Sequence, residues 1–462
     1  MKAILLVDFG STFTKLTVVD LDQEIILTTA KSMTTINTDI MHGFNNAFIQ
    51  IEDKLKGIEV EFVDKFACSS AAGGLKMITI GLVPDLTAEA AKRAALGAGA
   101  RVTGVYSFEL TKSEIKEIAS SKPEIILLSG GTDGGNKECI IHNSRMIAEN
   151  IKNVPIIVAG NKNAVDTITE IFEANGIYHK ITENVMPRLN VLNVEPAKEV
   201  IREVFMQKIV EAKGMKNVEN YINKILMPTP AAVLKAAQVL ADGTDKEDGI
   251  GELIVVDIGG ATTDVHSITK GEPSKPSVVI RGLQEPYAKR TVEGDLGMRV
   301  SAFSLWETAS TKRIKKYCDT LFDVESRCRH LSENINYISK TKEEVEFDEA
   351  LSLTAVDIAM ERHSGFIENV YTPMGAMYVQ TGKDLLNTKN LIGTGGVLVH
   401  SENPARILKA GLYDMENTSS LKPMNPNILI DKEYIFSAMG LLAEKYPDVA
   451  IRIMKKYMIS IS

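Results

Sequence analysis

Short apolar runs and longer amphipathic stretches alternate along the whole chain. Runs such as Leu253–Val256 are β-branched and lie between Gly-rich turns, as buried strands do, while the stretches between them have helical spacing. Between about residues 100 and 190 the alternation is regular. It predicts strands near 102–110, 124–128 and 154–159, followed in turn by helices near 112–121, 136–150 and 163–175. Three successive βα units of this kind predict a parallel, doubly wound sheet within an α/β protein.

The domain layout follows from length and local composition. A chain of 462 residues exceeds what one hydrophobic core usually supports, so at least two packed units are expected. The charged, Gly-containing segment 241–251 precedes a new apolar strand and suggests a boundary near 250. The expected layout is a first domain over 1–250 with an α/β insert at about 100–190, a second domain over 251–425 with a peripheral helical subdomain at about 311–350, and a C-terminal helical segment over 426–462 that packs back on the core.

Composition and charge exclude several classes of protein. The chain is 44% hydrophobic and 24% charged, as soluble proteins are, and its net charge of −8 disfavours nucleic acid as a partner. The N-terminal apolar run 3–7 ends at Asp8, too early for a secretory signal, and no stretch approaches the ~20 apolar residues that span a membrane. The four cysteines show no C-x-x-C pairing and are typical of free thiols in a reducing compartment. A cytoplasmic protein without a membrane partner is therefore expected.

The tail 450–458 has apolar residues at helical spacing with basic residues between them. This pattern fits a membrane-surface helix, and it also fits a short terminal helix docked on the core. The docked helix is the favoured interpretation, because one basic helix on an acidic protein is thin evidence for a membrane.

The first chemical signal is a strand that ends in a carboxylate and a tight polar turn. The apolar run 3–7 is followed by Asp8, then by Gly10-Ser11-Thr12, and a second strand returns after Lys15. Such a turn can direct backbone N–H groups and hydroxyls toward phosphate, while the carboxylate holds a hydrated magnesium ion. A plain hairpin also uses these turn residues. Lys15 either reaches phosphate or edges the hairpin.

Two further motifs extend this pattern. A second strand ends in Asp257, continues through Gly259-Gly260-Ala261-Thr262-Thr263 and returns at Asp264. His266 follows on the returning strand and is expected to be a packed or solvated side chain rather than a ligand. A third strand, Leu391–Ile392, runs into Gly393-Thr394-Gly395-Gly396, where a flat adenine ring can approach the backbone without side-chain interference.

Taken together, the three motifs resemble the phosphate-1, phosphate-2 and adenosine motifs of the actin, heat-shock-protein-seventy and sugar-kinase superfamily. The resemblance implies two ribonuclease-H-like, actin-like ATPase domains with Mg-ATP clamped in the cleft between them. It assigns Asp8 and Asp257 as catalytic carboxylates on the magnesium side, acting through water, and Asp264 as a residue near the water shell of the metal. The nucleotide-binding residues that it implies are Gly10, Ser11 and Thr12 on the first phosphate turn, Gly259, Gly260, Thr262 and Thr263 on the second, and Gly393, Gly395 and Gly396 on the nucleoside turn. Lys15 is a further candidate for phosphate binding.

The segment 228–233 resembles the first connecting helix of the chaperone ATPases, and 294–297 resembles their turn after phosphate-2. In that alignment Met227 stands where the chaperones carry an acidic residue that helps to organise hydrolysis. The departure implies slow or partner-stimulated ATP turnover.

The chain as a whole resembles the glutamate mutase accessory proteins of the MutL/GlmL type, which accompany adenosylcobalamin-dependent mutases. The segments that carry the resemblance are 1–15, 67–77, 127–136, 255–267, 291–299, 391–400 and 428–442. The resemblance implies an ATP-dependent reactivating factor whose partner is glutamate mutase and which exchanges damaged cobalamin. A small-molecule kinase and an actin-like filament or scaffold protein share the motifs and remain alternatives.

The Gly-rich loop 129–136 lies at a strand's carboxyl end, which is the usual ligand position in a doubly wound sheet. A flexible βα turn has the same composition. The sequence leaves both interpretations open.

Overall fold

The secondary structure alternates strands and helices, as the sequence pattern predicts. The computed structural model describes the whole chain except residues 11, 36–38, 71–74, 212–220, 223, 320, 322, 374 and 462. The strands are β1 (Lys2–Phe9), β2 (Phe13–Asp20), β3 (Ile25–Met33), β4 (Glu61–Ser69), β5 (Lys76–Gly81), β6 (Arg101–Ser107), β7 (Ile125–Leu128), β8 (Ile156–Val158), β9 (His179–Ile181), β10 (Lys224–Pro228), β11 (Leu253–Ile258), β12 (Thr263–Ile268), β13 (Val278–Arg281), β14 (Ala288–Glu293), β15 (Phe366–Thr372), β16 (Gly375–Thr381), β17 (Asn390–Thr394), β18 (Asn427–Asp431) and β19 (Met458–Ser460). The α-helices are α1 (Ile40–Lys54), α2 (Glu89–Gly97), α3 (Lys112–Ser121), α4 (Glu138–Asn150), α5 (Val165–Ala174), α6 (Glu195–Glu211), α7 (Thr229–Asp242), α8 (Ala302–Lys315), α9 (Val324–Glu333), α10 (Lys342–His363), α11 (Gly396–His400), α12 (Pro404–Lys409), α13 (Phe436–Leu442) and α14 (Pro447–Tyr457).

The chain forms two units. Unit 1 comprises Met1–Val233 and Gly440–Lys445, and unit 2 comprises Leu234–Met439 and Tyr446–Ser462. The chain therefore passes from the first unit to the second inside α7, earlier than the boundary expected near 250. The segment that suggested this boundary lies within unit 2, where Arg452 of α14 forms an ion pair with Glu247 at 2.9 Å.

The main sheet of unit 1 has the strand order β3-β2-β1-β4-β10. Strands β1, β2 and β3 form an antiparallel meander, and β4 and β10 continue the sheet parallel to β1. From Ala3 to Phe9 the central strand β1 is buried at every position. A continuous apolar run of this kind is typical of a strand covered on both faces.

The main sheet of unit 2 has the order β14-β12-β11-β17-β18-β19 and repeats this plan. Strands β11, β12 and β14 form an antiparallel meander, β17 and β18 run parallel to β11, and β19 adds an antiparallel edge. A separate three-stranded sheet has the order β13-β16-β15. The shared order, a meander of three strands followed by two parallel strands, is the ribonuclease-H-like arrangement that the sequence motifs imply.

The helices of the charge-rich region 311–350 belong to the core of unit 2. Cys328 of α9 and Phe347 of α10 are fully buried in one cluster with Ile254 of β11. The expectation of a peripheral subdomain is therefore wrong, although its helical character is confirmed. Its lysines are exposed, whereas Glu344 is buried and pairs with Arg327 at 3.1 Å.

The insert in unit 1 is a five-stranded, entirely parallel sheet with the order β6-β5-β7-β8-β9. Its three predicted βα units are present, and α3 begins at a capping box formed by Thr111 and Glu114. The insert starts at β5, before residue 100, and extends through β9. It is therefore larger than the expected 100–190 segment on its N-terminal side.

The C-terminal region 426–462 is partly strand rather than wholly helical, because β18 and β19 belong to the main sheet of unit 2. Helix α14 buries Ala450, Ile451, Ile453 and Met454, which confirms the docked interpretation of the tail. Within the part of the chain that the structure describes, no helix has both the length and the apolar character needed to cross a membrane. All four cysteines are free thiols.

Candidate functional site

The first hairpin joins β1 to β2 through a tight turn. Asp8 and Lys15 are directly opposite in the antiparallel register. The amide of Gly10 donates to the carbonyl of Phe13 at 3.1 Å and closes the turn. A Cβ on Gly10 would lie 2.6 Å from that same carbonyl oxygen, so only glycine fits. From outside the turn, the Thr34 hydroxyl donates to the Gly10 carbonyl at 2.8 Å.

The second hairpin joins β11 to β12 and reproduces this geometry. Asp257 lies directly opposite Asp264. The amide of Gly259 donates to the carbonyl of Thr262 at 2.9 Å, which is the counterpart of the bond in the first turn. The two hairpins therefore match residue by residue, with Asp257 equivalent to Asp8 and Asp264 equivalent to Lys15. One hairpin presents a carboxylate and an amine, and the other presents two carboxylates.

Asp8 is the centre of a buried polar cluster at the carboxyl end of β1. It is 4% exposed, and its Oδ1 accepts hydrogen bonds from the Thr229 hydroxyl at 2.7 Å and from the Cys68 thiol at 3.5 Å. Burial and, after it, the charge of Asp8 raise the pKa of Cys68 well above its ordinary value, so this thiol stays protonated. Lys15 Nζ lies 3.6 Å from Asp8 Oδ2. Lys15 therefore neutralises the carboxylate at the turn.

Met227 lies in the same row of the sheet as Asp8. In the parallel register Asp8 pairs with Cys68, and Cys68 pairs with Met227 of β10. Met227 is 5% exposed and brings no acidic group to this end of the sheet. Two residues further on, Thr229 supplies a neutral hydroxyl to Asp8 instead.

Asp264 carries an unusual buried carboxylate. Its Oδ2 accepts from Arg290 at 3.0 Å, while its Oδ1 is buried with no hydrogen-bond partner among the described residues. Residues directly opposite in an antiparallel pair have their side chains on one face, with Cβ atoms about 4.5–5.5 Å apart. The orphan oxygen therefore lies on the same face of the hairpin as Asp257. His266 is buried on β12, which corresponds to the packed alternative, and burial together with the charge of Arg290 lowers its pKa well below its ordinary value.

The glycine turn follows β17, which pairs with β11 so that Thr394 aligns with Asp257. The third motif is thereby brought to the end of the second hairpin. Gly395 has a φ of +92°, and a Cβ there would lie 2.4 Å from Asp257 Oδ1. Gly396 differs, since a Cβ on it would meet nothing within 4 Å. The space beside Gly396 is open.

Gly393 is buried among packed side chains. A Cβ on it would lie 2.9 Å from the terminal methyls of Ile430 and Leu408. The lack of a side chain at Gly393 therefore allows β17, α12 and β18 to pack closely. Gly395 and Gly396 are the members of the predicted triplet that lie at the hairpin.

The second turn rests on the segment 294–301, whose supporting role the sequence indicated only through the 294–297 resemblance. The amides of Met298 and Arg299 donate to the carbonyls of Gly259 and Gly260 at 3.1 and 2.8 Å. The Ser301 hydroxyl donates to the Ala261 carbonyl at 2.7 Å. These bonds hold the turn rigid from behind.

The remaining predicted residues differ in accessibility. Thr12 is exposed, and Thr262 is half-buried at the second turn. Thr263 is fully buried, and its hydroxyl donates to the Leu296 carbonyl at 2.7 Å, which is a structural bond. Ser11 lies outside the described residues.

The residues present fit a nucleotide and a hydrated cation. The buried, unpartnered Oδ1 of Asp264 lacks a donor, which a water of a magnesium shell supplies. The open side of Gly396 leaves room for a flat ring against the backbone. Within unit 1 Asp8, and within unit 2 Asp257 and Asp264, are candidates to hold a hydrated cation through water, and each turn offers backbone amides to phosphate.

Two ribonuclease-H-like sheets, each with a hairpin that carries a carboxylate and a glycine turn, have the fold of the actin-like ATPase and sugar-kinase superfamily. Residues 4–458 match the model of the family described as MutL protein. The chain is also 65% identical to Protein MutL of Clostridium tetanomorphum over 462 residues, which is the full length of both chains. The chain belongs to the MutL family.

Solved structures with similar folds include nucleotide-bound enzymes and activators. The activator of 2-hydroxyisocaproyl-CoA dehydratase from Clostridium difficile with bound ADPNP is 11% identical, with a TM-score of 0.32 over 100% of this chain and 99% of that chain. Plasmodium falciparum glycerol kinase with ADP is 12% identical, with a TM-score of 0.37 over 100% of this chain and 93% of that chain. A glycerol dehydratase reactivase is 11% identical, with a TM-score of 0.33 over 96% of this chain and 99% of that chain.

Proposed function

We propose that this protein is an ATP-dependent reactivating factor for an adenosylcobalamin-dependent mutase, with glutamate mutase as the specific partner and the cytoplasm as its location. The pair of matching hairpins is the observation that supports the proposal that the protein binds ATP. Each has a carboxylate at the end of its first strand and an amide-closed glycine turn after it. Membership of the MutL family and the resemblance to mutase accessory proteins support the partner.

The site residues have distinct roles in this proposal. Asp8 and Asp257 hold water of the magnesium shell, and Asp264 adds an acceptor beside Asp257. Bound magnesium would neutralise charge on the phosphate oxygens. Lys15 and the two turns contact phosphate, and the open side of Gly396 receives the adenine ring.

ATP turnover by the isolated protein is expected to be slow. General-base positioning of the attacking water needs an acceptor of suitable pKa near the phosphate. Met227 offers none, and the Thr229 hydroxyl donates its hydrogen bond to Asp8. A neutral hydrogen-bond donor fixes the carboxylate without accepting a proton from water. The partner protein is therefore the expected stimulus for turnover.

The nucleotide acts by changing affinity for the partner. A ligand shifts a conformational equilibrium only by its different affinities for the two states, so the ATP-bound and ADP-bound forms must bind the mutase unequally. Typical allosteric couplings correspond to about 5–150-fold in affinity.

Partner binding tests the proposal. Immobilised glutamate mutase is titrated with the full-length protein in the presence of Mg-ATP and, separately, of Mg-ADP. We expect dissociation constants that differ at least about fivefold, and we expect the difference to disappear in Asp8→Asn. Equal affinities, together with rapid phosphorylation of a small acceptor, would contradict the proposal and favour a kinase. Nucleotide-dependent sedimentation without mutase binding would favour a filament.

A further inference from the structure

The second turn, residues 259–262, is bound from behind through its carbonyl groups. The segment 298–301 donates hydrogen bonds to three successive carbonyls, those of residues 259–261. A peptide unit is planar and trans, so its N–H group points opposite to its C=O group. The amides of residues 260–262 therefore face away from the segment, on the side where phosphate is proposed to bind. Movement of these peptide units toward a phosphate also moves the carbonyls that the segment holds.

The segment contacts the turn on one side and α10 on the other. A Cβ on Gly297 would lie 2.4 Å from the carbonyl carbon of Ala261, so only glycine allows this approach. A Cβ on Gly260 would lie 3.7 Å from the Cβ of Arg299, which is ordinary van der Waals contact. The guanidinium of Arg299 forms two hydrogen bonds with the carboxylate of Asp348 on α10, at 3.2 and 2.8 Å. A displacement of the turn therefore acts directly on the segment.

Helix α8 begins immediately after the segment. Ser301 is its N-cap residue, yet within the described chain the Ser301 side chain accepts no hydrogen bond from the helix. An N-cap serine ordinarily accepts from an amide of the first helical turn. The Ser301 hydroxyl is directed instead to the carbonyls of Ala261 and Gly294, at 2.7 and 2.8 Å. The Phe303 amide donates to the hydroxyl of Ser332 on α9, at 2.9 Å. Ser301 therefore links the second turn to the start of α8.

Helix α8 consists of two parts that meet at Ser310. The backbone of Ser310 has a φ of +63° and a ψ of 160°, which interrupts the helix. This conformation is almost restricted to glycine, so it is strained in serine. Before the break, Thr308 donates to Asp295, which lies behind the turn, at 2.8 Å. After the break, Arg313 forms an ion pair with Asp357 of α10 at 2.8 Å. The two parts of α8 are therefore attached to different elements.

Trp306 lies in the part of α8 before the break. Its indole Nε1 donates to the Thr311 hydroxyl at 3.0 Å, across the break. Its ring packs against that of Phe303, with 5.3 Å between the ring centroids. The guanidinium of Arg329 on α9 lies 4.1 Å from the centroid of the Phe303 ring. Relative movement of the two parts of α8 changes these contacts and the surroundings of the indole.

We propose that α8 is a conformational switch that responds to phosphate at the second turn, with Ser301 as the residue that positions it. The inference rests on the proposed binding of ATP at the hairpins. Phosphate that binds the amides of the turn displaces the Ala261 carbonyl, and the Ser301 hydroxyl transmits this displacement to the start of α8. The break at Ser310 allows the first part of the helix to move without the part that is fixed to α10. Nucleotide occupancy thereby changes the surface around Trp306.

The emission of Trp306, the single tryptophan of the chain, tests this proposal in the full-length protein. Emission is titrated with Mg-ATP, and calorimetry on the same samples measures binding independently. Ser301→Ala removes the hydroxyl, and Ser301→Thr keeps it. The matched control is Ser304→Ala, which removes a hydroxyl from a half-buried position of the same helix. Amplitudes are compared at saturation, so a change in affinity does not affect them.

Mg-ATP is expected to shift the emission of the wild type saturably, with the dissociation constant that calorimetry gives. Ser301→Ala should lose most of the shift, whereas Ser301→Thr and Ser304→Ala should keep it. Calorimetric binding without a shift in the wild type overturns the inference and leaves the proposed ATP site in place. An equal shift in Ser301→Ala and wild type also overturns it, since direct contact of the nucleotide with the indole would give that result. Absence of Mg-ATP binding contradicts the proposed function and this inference together.

Hydrogen exchange of the wild type provides a second measurement that needs no variant. Mg-ATP should change the exchange of amides in residues 302–309 and leave that of residues 311–315 unchanged. A uniform change throughout α8, or no change in it, contradicts the switch.

Discussion

The hydroxyl of Thr229 donates a 2.7 Å hydrogen bond to Oδ1 of Asp8, and this bond joins the end of β1 to the first residue of α7. Helix α7 is the segment within which the chain passes from unit 1 to unit 2. The carboxylate proposed to face magnesium is thus oriented by the start of that helix. A displacement at the beginning of α7 would break this hydrogen bond to Asp8.

Removing this hydroxyl should weaken nucleotide binding. A hydrogen bond to a charged group contributes about 1.5–3 kcal/mol, so Thr229→Val is expected to lower Mg-ATP affinity at least about tenfold in titration calorimetry. Thr229→Ser keeps the donor and should remain close to wild type. If the valine and serine variants bind equally well, the hydroxyl does not position Asp8.

The two hairpin carboxylates should both contribute to binding. Asp8→Asn and Asp257→Asn each remove a charge proposed to hold magnesium water, at an expected cost of about 1–3 kcal/mol in Mg-ATP binding. Calorimetry with Mg-ATP and with ATP plus a chelator separates the metal contribution. Variants that bind and hydrolyse Mg-ATP like the wild type would show that the hairpins are not the site.

Substitutions of the neighbouring Gly395 and Gly396 should distinguish an effect on stability from an effect on ATP binding. Gly396→Val is expected to abolish ATP binding while leaving the melting temperature without nucleotide nearly unchanged, because its Cβ meets nothing within 4 Å. Gly395→Ala is the contrasting variant. Its Cβ would lie 2.4 Å from Asp257 Oδ1 and its φ of +92° strains any side chain, so it should melt at lower temperature. Retained ATP affinity in Gly396→Val would remove this turn from the site.

Stability should fall in mild acid because two histidines are buried in the neutral form. Burial, with the charges of Lys289 and Lys383, lowers the pKa of His363 well below 6.5, and burial with Arg290 does the same for His266. Below pH 6.5 these two histidines bind protons in the unfolded chain but remain neutral in the folded chain. Each histidine therefore removes about 1.4 kcal/mol of unfolding free energy per pH unit as the pH falls.

Urea unfolding of the wild type and of His363→Gln between pH 7.5 and 5 measures this effect. Below pH 6.5 the unfolding free energy of the variant should fall less steeply with decreasing pH than that of the wild type. The difference in slope should correspond to about one bound proton, whatever the stability of the variant at pH 7.5. His42→Gln, at an exposed position, is the matched control for removal of a histidine side chain. An unchanged slope in His363→Gln would contradict the assignment.

Local patterns predicted the hairpins well. A strand, an Asp and a glycine turn at residues 8–12 and again at 257–263 are local signals, and both fold as hairpins with matching register. Helix α3 begins and ends where its periodicity places it, since its capping box is also local. The strand expected to reach residue 110 ends at Ser107 instead, because Asn143 holds Phe108 in a left-handed turn from a distant helix.

The sequence pattern did not predict contacts between segments that are distant in the chain. The expected boundary near 250 followed local composition, whereas the chain changes unit inside α7. Thr229 and Cys68 were not predicted as neighbours of Asp8, since only the parallel pairing of β1, β4 and β10 aligns them. Gly393 looked equivalent to Gly395 in sequence, and only the packing of Ile430 and Leu408 shows that it fills a core position.

Recovery of an inactivated mutase is the most direct test of the central claim. Glutamate mutase loaded with hydroxocobalamin is mixed with this protein and fresh adenosylcobalamin, and mutase activity is followed with ATP, with ADP and with a non-hydrolysable ATP analogue. The account predicts recovery with ATP alone, and no recovery when Asp8→Asn replaces the wild type. Absence of recovery with every nucleotide, while the wild type binds Mg-ATP normally, would contradict it.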